Sequence, residues 1–177
     1  MAGGYNLTDT YLDFLGAEAF ENLIGQLNES RQYQFESREV RYIAAVAGPS
    51  AYAPAAMPVK EAFEYYSSAQ EREAPNWENR VTVESMEHVI GWNVLGHAHL
   101  VAQPLLVVDG TTDQLLPPRY AQEVYDRAPQ PKQLEWIRTG NHVQLYDQAP
   151  YVPAAIDHIL TFLGQHLASR TSSVSAV

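Results

Sequence analysis

Residues 105–118 read LLVVDGTTDQLLPP, and the fold turns on how this stretch is interpreted. The apolar run, led by a proline and closed by Asp109-Gly110, predicts a strand over residues 104–110, buried on both faces of a parallel sheet. Pro117 and Pro118 then suit the first turn of a helix, where a missing N–H costs nothing. Tyr120, Val124 and Ala128 continue at helical spacing until Pro129 and Pro131 stop the helix. Residues 133–138, QLEWIR, alternate apolar and polar side chains as a half-exposed or edge strand does. A loop over 140–147 leads to a closing amphipathic helix marked by Val152, Ile156, Ile159, Leu163 and Leu167. Strand, turn, helix, strand, turn, helix is the pattern of an α/β protein.

The chemistry follows from that order. Asp113 stands just beyond the first strand and His142 just beyond the second, in TGNHVQLYD. Carboxyl ends of neighbouring parallel strands share one rim, where ligands bind, so these side chains can meet although they are far apart in sequence. A carboxylate on one imidazole nitrogen fixes the tautomer and stabilises the imidazolium, freeing the other nitrogen to take a proton from a nucleophile. Both residues also admit plainer readings: Asp113 as a turn or capping aspartate, His142 as an ordinary loop histidine. Asp109, directly before Gly110, reads as strand-end turn chemistry rather than as the acid.

Residues 104–167, from PLLVVDGTTDQLLPP through TGNHVQLYD to the last helix, resemble the carboxyl-terminal end of an α/β-hydrolase of the dienelactone-hydrolase-like group. The preceding EYYSSAQEREAPNWENRVTVESMEHVIGWNVLG is similar to the lid-like insertion that members carry before the acid-bearing strand. The resemblance implies a helical lid-like region over residues 1–102, a hydrolase segment over 103–168 with few sheet strands, and a disordered tail over 169–177. It implies ester, lactone or related acyl hydrolysis by a triad with Asp113 as acid, His142 as base and a serine or cysteine nucleophile. It implies neither a metal nor an organic cofactor, and a small ester or acyl substrate.

One part of the pattern is missing. Family members carry the nucleophile on a G-x-S-x-G elbow upstream of the acid, and no G-x-S-x-G occurs in this sequence. The nearest approach, Gly48-Pro49-Ser50-Ala51-Tyr52, lacks the second glycine and has no buried strand leading into it. The chain is therefore expected to begin inside the family pattern, near MAGGYN, and to be inactive alone. An oligomer or a missing amino-terminal half would then cover its sheet edge. The alternative is a non-catalytic hydrolase-like module that binds a ligand or a partner.

Composition narrows the remaining possibilities. Asp and Glu outnumber Lys and Arg 21 to 11, for a net charge of −10, which disfavours nucleic acid and anionic membranes as partners. With no cysteine, neither a disulfide nor a Cys-zinc site is available to this chain. No apolar run reaches membrane-spanning length, and the first basic residue is Arg31, so a cytoplasmic protein without a signal peptide is the expectation. His97 and His99 in GHAHL, with His88 nearby, invite a metal reading, but nothing is spaced to complete a site, and surface or capping histidines are favoured. His158 and His166 read as the polar flank of the last helix. Upstream, residues 17–38 are expected to be helical with Phe20, Ile24 and Leu27 on one face, residues 48–58 a loop, and residues 60–68 and 79–90 short helices. The 11 tyrosines read as packing residues, or alternatively as the lining of a pocket.

Overall fold

The computed structural model describes residues 3–48 and 55–167; Ser50 and the tail over 169–177 lie outside the described residues. The chain divides into two compact units, residues 7–92 and residues 1–6 with 93–177.

The first unit opens with α1 (Leu7–Ser37), broken at Gly16, whose φ of 74° and ψ of 165° leave the helical region. Only glycine takes such a conformation without steric cost, so the chain has a second helical segment ahead of the one expected from residue 17. Arg38, at φ 65°, ends the helix. Three short strands follow: β1 (Tyr42–Val46), β2 (Ala55–Met57) and β3 (Val81–Thr82), in the order β2-β1-β3. The sequence reading placed β2 inside a loop and β3 at the start of a helix. Both pair with β1, β2 in parallel and β3 antiparallel, contacts distant in sequence that local composition does not encode. At the end of β1 the Asn79 side-chain amide accepts from Val46 N–H at 2.8 Å and donates to Val46 C=O at 3.0 Å. Between β2 and β3 runs α2 (Lys60–Arg72), longer than expected, and after β3 comes α3 (Val83–Ile90), capped by the Thr82 hydroxyl accepting from Ser85 N–H. Tyr11, Leu27, Ala56, Met86 and Ile90 form this unit's core. Tyr11 is a packing tyrosine: it is buried, its hydroxyl donates to the Ala56 carbonyl, and burial pushes its pKa up to about 12.

The second unit is built on β4 (Leu105–Gly110) and β5 (Lys132–Ile137), which run parallel in the register Leu105↔Lys132 to Gly110↔Ile137. Side chains alternate across the sheet, so successive residues of β4 enter different cores. Val107 packs with Leu95, Ala98, Tyr120, Ala121 and Val124 on one face. Val108 packs with Ile137, Leu145 and Ala155 on the other. The crossover is α4 (Arg119–Arg127), with Pro118 as its cap already at helical φ and ψ and Tyr120 N–H bonded to Pro117 C=O. The two prolines therefore stand just before the helix rather than in its first turn. A single turn, α5 (Gln144–Asp147), precedes the closing helix α6 (Tyr151–Leu167).

That last helix presents a different face from the one its periodicity suggested. Ala155 and Phe162 are buried and Ile159 packs against the Val108 cluster, whereas Ile156, Leu163 and Leu167 are exposed, in line with Leu160 at 62%. The apolar arc of this helix is wide, with Asp157, Thr161 and Gln165 confined to one polar stripe, so periodicity alone could not choose its inner face.

Candidate active site

Asp113 and His142 meet where the two parallel strands end. The Asp113 Oδ2 to His142 Nδ1 distance is 2.6 Å, and the exposures of the two side chains are 1% and 2%. The other carboxylate oxygen, Oδ1, accepts from Leu115 N–H at 2.9 Å and Leu116 N–H at 2.7 Å. Asp113 is thus a turn aspartate on one oxygen and the histidine's hydrogen-bond partner on the other. With Nδ1 donating to the carboxylate, the neutral imidazole has Nε2 as its acceptor. Nε2 lies 2.7 Å from the Tyr146 hydroxyl, and the two rings meet edge to face with centroids 4.9 Å apart.

The loops that bring these groups together are fastened by two threonines. Thr111 N–H continues the ladder to Ile137 C=O at 2.9 Å. The Thr139 hydroxyl donates to Thr112 C=O at 3.0 Å and accepts from Thr112 N–H at 3.3 Å, while Thr139 N–H donates to the Thr111 hydroxyl at 3.2 Å. The strand that closes this clamp must end in glycine, because a Cβ on Gly110 would collide with Thr139 Oγ1. The histidine loop is shaped locally: Asn141 Oδ1 accepts from Gln144 N–H, and Gln144 Oε1 accepts from Gly140 N–H. Sequence reasoning passed over Thr111, Thr139 and Tyr146. The usable signals were a threonine just past each strand end and a tyrosine four residues after the histidine, one helical turn on.

Asp109 is buried at the penultimate position of β4, with Oδ1 accepting from Gly110 N–H at 2.7 Å. Burial pushes its pKa up to about 6; the Gly110 hydrogen bond opposes this, the charge of Asp113 adds to it and His142 opposes it. Burial, with Asp109 nearby, likewise raises the pKa of Tyr5.

The remaining histidines lie elsewhere. His88, His97 and His99 are exposed, His158 approaches Glu135 at 3.3 Å, and His166 packs on Phe162. Among the described residues, no group of three or more His, Cys, Asp or Glu side chains is placed to hold a metal ion. Among them too, no helix is long and apolar enough to cross a membrane.

No protein-family model and no curated protein sequence matches the chain significantly. Solved structures do. The chain is similar to GrgF, an alpha/beta hydrolase from Penicillium sp. sh18, with a TM-score of 0.65 and 21% identity over 84% of this chain and 50% of that one. It is similar to the hypothetical protein PA2218 from Pseudomonas aeruginosa, with a TM-score of 0.66 and 20% identity over 90% of this chain and 49% of that one. It is also similar to DcsB, solved in complex with its substrate analogue, with a TM-score of 0.64 and 19% identity over 82% of this chain and 50% of that one. The chain spans about half the length of each of these structures. At such identities the likeness is one of fold. This chain therefore has a mixed α/β architecture with few strands, that of the carboxyl-terminal half of an α/β-hydrolase.

Proposed function

We propose that Asp113 and His142 are the acid and the base of an acyl-hydrolysing site, acting on esters or lactones. The observation that carries this reading is the buried 2.6 Å contact between Asp113 Oδ2 and His142 Nδ1 at the carboxyl ends of adjacent parallel strands. In such a relay the carboxylate holds the imidazole in the tautomer that exposes Nε2 as base, and stabilises the imidazolium once the nucleophile's proton arrives. The imidazolium then returns that proton to the leaving group. No serine of this sequence sits on a G-x-S-x-G elbow and there is no cysteine, so the acyl-enzyme forms on a nucleophile supplied by an additional polypeptide segment. In this reading residues 1–102 are the lid-like region and residues 103–168 the segment that carries acid and base.

The test is steady-state hydrolysis of p-nitrophenyl esters by this chain alone and in the presence of a polypeptide carrying a G-x-S-x-G elbow from this fold. Alone, the chain should show no sustained turnover above a His142→Ala control. With the elbow-bearing polypeptide, turnover should appear and be lost in His142→Ala and Asp113→Ala. Sustained turnover by the chain alone that vanishes in Ser50→Ala would overturn the reading.

A further inference from the structure

The base in this site already faces a hydroxyl. His142 is 2% exposed and both its ring nitrogens are engaged, Nδ1 by Asp113 and Nε2 by the Tyr146 hydroxyl at 2.7 Å. Tyr146, by contrast, is 40% exposed. The buried imidazole is therefore hydrogen-bonded to a side chain that itself reaches solvent. Nucleophile within hydrogen-bond reach of a base, base oriented by a third group: this is the general arrangement of an activated nucleophile, and tyrosine is among the side chains that serve as one.

We propose that Asp113, His142 and Tyr146 form a relay in which the Tyr146 oxygen accepts an acyl group from activated esters. As Oη attacks the ester carbonyl carbon, its proton passes to His142 Nε2 and an Oη–C bond forms. The tetrahedral adduct collapses by breaking the bond to the leaving alkoxide or phenolate, which departs with the electron pair. The proton on His142, stabilised by Asp113, is released to solvent. An aryl ester on Tyr146 and the free alcohol or phenol are the products. A free phenol ionises near pH 10, so without the base only about one Tyr in a thousand is reactive near neutrality; general bases contribute roughly 100-fold or more. Buried and hydrogen-bonded at both ring nitrogens, the imidazole is not itself the group acylated.

This inference rests on the same basic role for His142 as the hydrolase reading, and its test uses a different sample and readout. The chain alone is treated with excess p-nitrophenyl acetate at pH 7.5, and acetylation of each tyrosine is followed by peptide mapping. Tyr42, at 51% exposure, is the internal reference. Tyr146 should be acetylated about 100-fold faster than Tyr42, and His142→Gln should bring it down to the Tyr42 rate. A circular dichroism spectrum matching the parent shows that the variant is folded. A second measurement needs no variant: the Tyr146 rate should level off well below the pH near 10 at which a free phenol ionises. Equal labelling of Tyr146 and Tyr42, a Tyr146 rate unchanged in folded His142→Gln, or a rate rising up to the ionisation of a free phenol would each overturn the proposal. None of these outcomes touches His142-dependent turnover with the elbow-bearing polypeptide, which tests the hydrolase reading separately.

Discussion

Replacing Asp109 by Asn should make the protein more stable at neutral pH and leave it little changed near pH 4. The Asp109 carboxyl is buried one residue before the end of β4, and burial moves its pKa from 3.8 to about 6. In the unfolded chain it ionises near 3.9. Between those values the folded state binds more protons than the unfolded one, so stability falls as pH rises through the window. Below about pH 4 both states are protonated and nothing is lost; above about pH 6 both are ionised and the full penalty stands. A shift of about two units corresponds to about 3 kcal/mol. Asparagine keeps an Oδ1 that can accept from Gly110 N–H, cannot ionise, and removes a charge that faces Asp113. Urea unfolding at pH 4, 5, 6 and 7.5 should show variant and parent diverging by 1–3 kcal/mol across the series, by the same linkage. Carbon NMR of the Asp109 carboxyl in the parent should titrate near pH 6. A difference between variant and parent that is constant over pH, or a carboxyl that titrates near 4, would refute the argument.

Other outcomes follow from the same contacts. Asp113→Ala removes the acceptor of Leu115 N–H, Leu116 N–H and His142 Nδ1–H and should cost about 3 kcal/mol in urea unfolding. Asp113→Asn should cost less, because its amide oxygen can keep the turn. It should still abolish fast Tyr146 acetylation, because an NH2 facing Nδ1 favours the wrong imidazole tautomer. Gly110→Ala should destabilise by about 1–3 kcal/mol through its clash with Thr139. In a Thr139→Ala background most of that cost should disappear, which a double-mutant cycle will read as a favourable coupling. Leu160→Lys, at an exposed position on the outer stripe of α6, should change stability by no more than about 0.5 kcal/mol and raise the solubility limit measured by concentration until precipitation.

What the sequence determined by itself was the framework around β4. An apolar run ended by Gly, prolines before a helix and an alternating second strand are local signals, each read within a few residues. They placed β4, α4, β5 and α6 within a residue or two, and they put Asp113 and His142 at neighbouring strand ends. The dual use of the Asp113 carboxylate was not legible, because its Oδ1 bonds are local while its Oδ2 bond spans two loops. The short strands β2 and β3 were missed for the same reason: Ala55–Met57 has little strand propensity, Val81–Thr82 is only two residues long, and both exist as strands through pairing with β1. The inner face of α6 was misread because its apolar arc is wide, and the packing of Ala155 and Ile159 near Val108, with burial of Phe162, selects the side. Tertiary structure alone decided that Thr139 needs a glycine opposite it and that Asp109 is sealed from water. Each of these depends on atoms brought together across the β4–β5 pair. Periodicity along the chain carries no information about which side chains meet across it.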